Sequence, residues 1–350
     1  MKLIIAVLVG GLLVPASVCA QNNNSKTGTS AATFLEIPVG ARGIGMGDAF
    51  VSLSNDVTAL YWNAAGTARF EQSEASVSHT SWIAGTKFDF AGLVLPLGTI
   101  GTIGVSYIQL AMDDMKVRTV EQPEGTGEFF SAGDMAIGLS YARQLSDRFA
   151  IGFTAKYIQQ TIWHETASAM AVDIGTIFRT DLLGGLTIGA SLSNFGTSMK
   201  LAGRDARKFI SMDATKLGSN AQIPADVEFD SWNLPLLFQF GISTIPWKSD
   251  DFAWTVAIDA LHPSDDYETV NIGTELAYRN FFFVRGGFSS FVRRGSSPPW
   301  LDGNEGGLCL GIGLTSDLFT TESIRVRFDY AYRSMGLLEN IQVITFAVQF

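Results

Sequence analysis

The sequence predicts an all-β protein, a transmembrane antiparallel up-and-down β-barrel of fourteen strands with a short, partly helical N-terminal hatch in its lumen. Three observations predict it. From residue 74 to the C-terminus, apolar residues recur at every second position rather than with helical spacing. The connections between these alternating segments are short and long in turn. Apolar residues make up 47% of the chain and charged ones only 17%, yet past the N-terminal region no run approaches the roughly 18 residues that a spanning helix needs. Strands cross a membrane with only every second residue apolar, so this balance suits them.

The elements follow in order. Residues 1–20 carry Lys2, the apolar run LIIAVLVGGLLV, a break at Pro15 and then ASVCA, which suits a cleaved export signal ending at Ala20. The segment before Cys19 is a poor lipidation motif. Once the signal is removed, Cys309 is the sole cysteine, so no internal disulfide is expected. Residues 21–33 read as a polar linker, 34–73 as the hatch and 74–350 as the barrel. A net charge of −10 leaves no basic stripe to neutralise a phosphate backbone, which excludes nucleic acid as a partner.

Strands are expected near 74–82, 87–97, 100–110, 132–145, 149–161, 168–180, 185–195, 233–245, 251–261, 267–279, 281–291, 305–316, 322–334 and 339–350. In IRVRFDYAYR, Ile324, Val326, Phe328, Tyr330 and Tyr332 share one face, and Arg325, Arg327, Asp329, Ala331 and Arg333 the other. Connections after even-numbered strands are short. Those after odd-numbered strands include the long 111–131, 196–232 and 292–304, the asymmetry of periplasmic turns and outer loops. Glycines at 98, 101 and 104 open the third strand, a pattern that often marks a kink or bulge, although ordinary barrel curvature is the favoured reading here. Trp82, Trp163 and Trp247 fall near strand ends, where interfacial aromatics belong.

The segment before the first strand, GARGIGMGDAFVSLSNDVTALYWNAAG, carries Gly43, Gly45 and Gly47. A dinucleotide fingerprint needs a different glycine spacing inside a βαβ unit, and a phosphate loop needs Lys where Asp48 stands. The stretch reads instead as a compact plug. Its glycines permit tight turns, Asp48 or Ser54 is placed to cap short helical segments, and Ala49, Leu53, Val57, Leu60 and Tyr61 form an apolar stripe.

Here a resemblance becomes specific. Gly40-Ala41-Arg42-Gly43, Gly47-Asp48-Ala49, Asn55-Asp56 and Tyr61-Trp62-Asn63-Ala64-Ala65-Gly66 resemble the N-terminal hatch of the FadL superfamily, and more narrowly its PorV/PorQ-like branch. The family pattern ends in Asn-Pro-Ala-Gly, so Ala64 departs from it. The resemblance implies a Gram-negative outer-membrane location, a hatch built on Gly40, Arg42, Gly43, Gly45, Gly47, Asp48, Asn55, Asp56, Asn63 and Gly66, and Phe350 as the terminal signal read during barrel insertion. It implies a non-enzymatic role in type IX secretion or surface attachment. The partners would then be outer-membrane lipid, secretion-system proteins and cargo bearing C-terminal sorting domains. The alternatives are FadL-like passive transport of fatty acids or another hydrophobic small molecule, with a lateral exit at an inward kink of the third strand, or a structural barrel with a closed lumen.

No catalytic residue, metal site or cofactor is expected. His79, His164 and His262 lack ligand spacing, and the acid pairs Asp113-Asp114, Asp250-Asp251 and Asp265-Asp266 read as solvated turns. Expected inward charges include Lys156, Asp173, Arg179, Asp259, Glu275 and Arg333. The candidate luminal ligand residues are Arg279, Arg285, Arg325, Arg327 and Asp329. Arg325 and Arg327 suit an anionic head group, because guanidinium grips carboxylates with two bonds. The competing expectation pairs these charges with Asp48 and Asp56 of the hatch. The long connection 196–232, with Phe209, Ile210, Met212 and Trp232, is the expected partner surface.

Overall fold

The computed structural model describes residues 28–212, 215, 222–293, 307–316 and 324–350. The expected signal peptide, the first part of the linker, most of the 292–304 connection and the turn at 317–321 lie outside the described residues.

Alternating sequence becomes one closed antiparallel barrel. Its strands are β1 Glu74–Ser81, β2 Lys87–Pro96, β3 Thr102–Ala111, β4 Ala132–Ser146, β5 Phe149–Ile162, β6 Glu165–Thr180 and β7 Leu186–Gly196, followed by β8 Leu237–Lys248, β9 Phe252–Pro263, β10 Thr269–Tyr278, β11 Phe282–Arg293, β12 Leu308–Thr315, β13 Arg325–Arg333 and β14 Ile341–Gln349. Each strand pairs with its neighbours in sequence, and β1 closes on β14 from Glu74↔Gln349 to Ser81↔Gln342. Closure satisfies the backbone of every wall strand within the sheet, which a bilayer demands.

The faces now have directions. On β14, Val343, Thr345 and Ala347 are buried, while Ile344 and Phe346 are exposed. Leu139, Phe153, Met170, Phe240, Leu276, Ile312 and Phe328 are likewise exposed, so the outer wall is an apolar band for lipid. Among the described residues no helix is long and apolar enough to cross a membrane.

Short turns gather at one end: residues 97–101, 147–148, 181–185, 249–251 and 279–281. The opposite end carries the connections 112–131 and 197–236, each containing a short hairpin. Not every loop at that end is long, because only Trp163 and His164 join β5 to β6.

Two expectations change and one alternative falls. β3 contains no bulge. It pairs residue for residue with β2 from Pro96↔Thr102 to Lys87↔Ala111, and with β4 without a shift. Gly98 and Gly101 form the turn before it, and Gly104 instead vacates the space that Leu60 of the hatch fills. Register breaks occur elsewhere, between Val172 and Ile174 on β6 for example. β8 begins at Leu237 rather than 233, and the Asn233 carbonyl instead accepts the Ala31 amide. Trp82 turns inward against the hatch core instead of joining an interfacial girdle; Trp163 and Trp247 are exposed at strand ends.

The hatch fills the lumen along its length. The Ala31 amide donates to Asn233 and the Ala32 amide to Gln160, both at the long-loop end. At the other end Ser73 exchanges two backbone bonds with Phe350. The chain therefore descends through the barrel before starting β1. Its helical pieces are only α1 Ala41–Gly45 and α2 Ala59–Trp62, with 3₁₀ turns at Thr33–Glu36 and Ala64–Arg69. Elements this short are not stable alone, so the wall must hold them. Ala41, Ile44, Met46, Phe50, Val51, Asp56 and Val57 are fully buried there.

Candidate functional site

The hatch is fixed to the wall by a chain of ion pairs at the short-turn end of the lumen. α1 places Arg42 where its Nε and Nη2 each donate to Glu275 of β10 at 2.9 Å, a two-bond grip. Its Nη1 donates to Asn55 at 2.6 Å and to Asp56 at 3.3 Å. Glu275 also accepts from Arg285 of β11 at 2.6 Å, and Arg285 reaches Asp329 of β13 at 2.6 Å. Arg327 lies 3.0 Å from Asp329, 3.4 Å from Asp56 and 3.6 Å from Glu74. Three arginines thus meet four carboxylates across hatch and wall.

Burial alone would raise the Asp56 carboxyl. Arg327 and Arg42, with the Thr58 hydroxyl and amide, hold it below the usual carboxylate range instead. Buried pairs of this kind add little net stability, but removing one partner strands a charge and is costly. The network therefore specifies where the hatch sits more than how stable the barrel is.

A second attachment lies further up. Asp48 adopts φ 64 and accepts from Arg333 at 2.7 Å and from Ser289 at 2.9 Å. Burial pushes its carboxyl up, against the pull of Arg333 and Ser289. Asp48 therefore ties hatch to wall and does not cap a helix. Asp56 Oδ1 accepts the Thr58 amide at 3.0 Å, a side-chain turn just ahead of α2. Asp259 of β9 accepts the Val51 amide at 2.8 Å, and Lys156 pairs with Asp173 at 2.8 Å on the wall itself.

The remaining hatch residues shape the backbone. Gly40 precedes α1 at φ 84, Gly43 lies under the Trp62 indole, and Gly45 abuts Gly311 of β12. Gly47, at φ 65, passes directly over the backbone of β11 at Phe288. Asn63 caps the last turn through Ala65 and donates to the carbonyls of Val51 and Thr176, joining two parts of the hatch to β6. Gly66 presses against the Ser54 carbonyl, where any Cβ would collide.

Of the candidate ligand residues, the structure brings Arg285, Arg327 and Asp329 together, all engaged by acids or arginines of the lock. Arg279 and Arg325 are elsewhere. Arg279 stands exposed at φ 51 in the β10–β11 turn, bonded to Asp251 at 2.6 Å. Arg325 is exposed at the start of β13 and bonded to Gln349 at 3.2 Å. Both follow the alternation of their strands, but they lie at the strand ends, beyond the filled lumen. Phe350 extends β14 at the short-turn end and is half exposed.

Above the lock, towards the long loops, a cavity of about 340 Å³ remains. Glu36, Asp48 and Asp266 line it together with Arg333, Tyr61, Trp82 and Tyr267. Burial, reinforced by Asp265 and Asp266, pushes the Glu36 carboxyl up to about 7. Asp265 is only 5% exposed, so of this pair only Asp266 keeps the solvated position expected of a turn. Glu36 carried no motif in the sequence. Its role arises from a contact across 229 residues of chain, Glu36 to Asp265 (265 − 36 = 229), which local pattern cannot reveal. The three histidines each meet one acid, Asp89, Asp205 or Glu268. Among the described residues no group of three His, Cys, Asp or Glu side chains is arranged to hold a metal.

The comparisons decide between kinds of hatch-filled barrel. The model of the PorV family, described as type IX secretion system protein PorV, matches residues 20–228, more than half of the chain. The chain belongs to the PorV family. It is an outer-membrane β-barrel of a Gram-negative type IX secretion system. No curated protein matches. Among solved structures, the toluene transporter TodX of P. putida is 12% identical with a TM-score of 0.54, covering 89% of this chain and 98% of its own. A Pseudomonas aeruginosa FadL homologue is 11% identical with a TM-score of 0.51, covering 90% and 98%. The CymD monoaromatic hydrocarbon channel is 13% identical with a TM-score of 0.52, covering 89% and 97%. At these identities the likeness is one of fold. This PorV-family barrel shares the fold of FadL-family outer-membrane barrels.

Proposed function

We propose that this barrel serves type IX secretion as a sealed membrane platform, receiving cargo sorting domains and secretion-system proteins on its long-loop end. The observation that carries the reading is the combination of a lumen closed by the Arg42–Glu275–Arg285–Asp329–Arg327–Asp56 lock with apolar side chains displayed on the outer connections. Phe209 is 69% exposed and Met212 84%, and Trp232, near the far end of the same connection, is half exposed. Exposed apolar groups on a loop are costly in water and pay off when a partner covers them. The task requires no catalytic residue.

FadL-like uptake is weakened by two features. β3 is continuous with both neighbours, so the wall has no opening there, and the arginines suited to a carboxylate are already paired.

Purification in mild detergent followed by mass spectrometry of bound proteins and lipids tests the proposal. Recovery of type IX components or sorting-domain cargo, lost in Phe209→Asp, is expected. A stoichiometric fatty acid with no protein partner would overturn it.

A further inference from the structure

Two arginines at the short-turn end stand apart from the lock. Arg69 ends the last 3₁₀ turn of the hatch, and Arg179 lies near the end of β6, two residues past the buried Ile177 and on the same luminal face. Ile177 packs with Ala65, Ala68 and Ala150, so hatch and wall are in contact beside the two arginines. Both close on one turn, the two residues that join β4 to β5. Arg69 Nη2 donates to the Asp147 carbonyl at 2.6 Å, and the Arg179 amide donates to the adjoining Arg148 carbonyl at 2.8 Å. The charge that acts on Arg179 is that of Arg69, so two like charges face each other here. Arg42, Arg285, Arg327 and Arg333 each hold a carboxylate. Among the described residues Arg69 and Arg179 hold none: Asp147 offers Arg69 its carbonyl, and Asp181 is turned to Arg148 at 2.8 Å. Arg69 Nη1 and all three guanidinium nitrogens of Arg179 make no hydrogen bond among the described residues, and all four are open to solvent. The Arg69 Nε, by contrast, is closed off.

We propose that Arg69 and Arg179 bind a dianionic phosphate group presented from the periplasm. Guanidinium matches phosphate oxygens with paired N–H donors, and the two side chains approach from different elements, hatch and wall. Two unpaired cations call for two negative charges. A phosphate monoester carries nearly two at neutral pH, whereas a carboxylate carries one. Short turns of an outer-membrane barrel face the periplasm, so a guest reaches this pair without crossing the lumen or disturbing the lock. Once bound, it ties the end of the hatch to β6 and offsets the repulsion between the arginines. The group is the same whether soluble or carried on a lipid of the periplasmic leaflet, and the titrations below separate these sources.

The full barrel in a maltoside detergent is titrated by calorimetry with inorganic phosphate, glycerol phosphate and acetate at constant ionic strength. Saturable binding of both phosphates is expected, at least tenfold tighter than acetate. It should be stronger at pH 8 than at pH 5, where phosphate keeps a single charge. Arg179→Gln breaks no side-chain bond among the described residues and should weaken phosphate about tenfold. Arg148→Gln removes an equal charge from the same turn but should change the affinity by less than roughly twofold, because Arg148 is committed to Asp181. The titration is then repeated in phosphatidylcholine nanodiscs with and without phosphatidate. Loss of phosphate binding only in the phosphatidate discs assigns the site to a lipid headgroup; the same affinity in both assigns it to a soluble phosphate. Acetate binding as tightly as phosphate, equal weakening by Arg148→Gln and Arg179→Gln, or a titration that Arg179→Gln leaves unchanged would each overturn the proposal. So would the absence of saturable phosphate binding to the parent barrel in both detergent and phosphatidylcholine discs.

Discussion

Replacing Arg42 by Met should unlock the hatch while leaving the barrel closed. Met keeps much of the side-chain length but removes the two bonds to Glu275 and the contacts with Asn55 and Asp56. Breaking a buried ion pair costs about 3–5 kcal/mol when the partner is left bare. Here Glu275 retains Arg285 and Asp56 retains Arg327, and the Arg42 side chain is 13% exposed. The lower end, about 3 kcal/mol, is therefore appropriate, and it corresponds to a roughly hundredfold larger population of the displaced hatch. Cys309 reports that population directly. It is 0% exposed on the luminal face of β12, and the hatch backbone at Gly47 covers its sulfur. Its rate of modification by a small methanethiosulfonate, with the site confirmed by peptide mass, should rise by about two decades in Arg42→Met and by less in Arg42→Lys. Unfolding of the wall, followed by heat-dependent gel mobility, should stay as in the parent protein. Parental labelling rates in an intact Arg42→Met barrel would refute the lock.

Other perturbations probe different links. Ala64→Pro restores the family pattern at the first position of a 3₁₀ turn, where proline fits and the extended Asn63 (φ −167, ψ 98) already suits a following proline; hatch stability should rise by about 0.4–1 kcal/mol, read as slower Cys309 labelling. Gly66→Ala drives a methyl group into the Ser54 carbonyl and should cost about 1–3 kcal/mol, read by the same label as faster modification. The pH dependence of the hatch entrance follows from Glu36, whose carboxyl is raised from 4.5 to about 7. Such a group favours the folded arrangement below its unfolded value, and that advantage is lost as pH climbs from about 4.5 to 7. Amide exchange at residues 33–37, corrected for intrinsic rates, should therefore show stronger protection at pH 5 than at pH 8, and Glu36→Gln should flatten the difference.

Strands were legible because a two-residue period survives any detail of packing. Val343, Thr345 and Ala347 could be grouped on one face from sequence alone, and only the direction of that face required the structure. The hatch was legible as a motif, since its glycines and its Asn63 mark turns. Which wall residue each hatch charge would meet was less so. The pairing of Arg327 with Asp56 and of Arg333 with Asp48 was one of two open readings. Strand alternation placed Arg279 and Arg325 on the inward face, yet height along the strand decides whether such a face meets the hatch or water. The third strand was ambiguous for a related reason. A glycine that makes room for Leu60 looks in sequence like a glycine that lets a strand bend.

The order in which charges line the lumen also bears on what it accepts. The short-turn half holds Arg42, Arg285 and Arg327 beside Asp56, Glu74, Glu275 and Asp329, each arginine already spent on acids. The long-loop half holds Glu36, Asp48, Asp265 and Asp266, and among the described residues lining its cavity Arg333 is the one cation. A fatty acid arriving from outside would meet the acids first and then find the deeper arginines occupied. To reach one it would have to displace Asp56 or Glu275, leaving that carboxylate buried and unpaired at about the same cost that Arg42→Met is expected to incur. An uncharged hydrocarbon escapes this penalty but gains nothing from the lock, and it would have to move Ile44, Met46, Phe50 and Val57, all fully buried, to pass. Passage of either kind thus requires the whole hatch to leave its seat. A partner that supplies binding energy at the outer loops could do this, whereas a small solute alone would have to overcome the lock unaided.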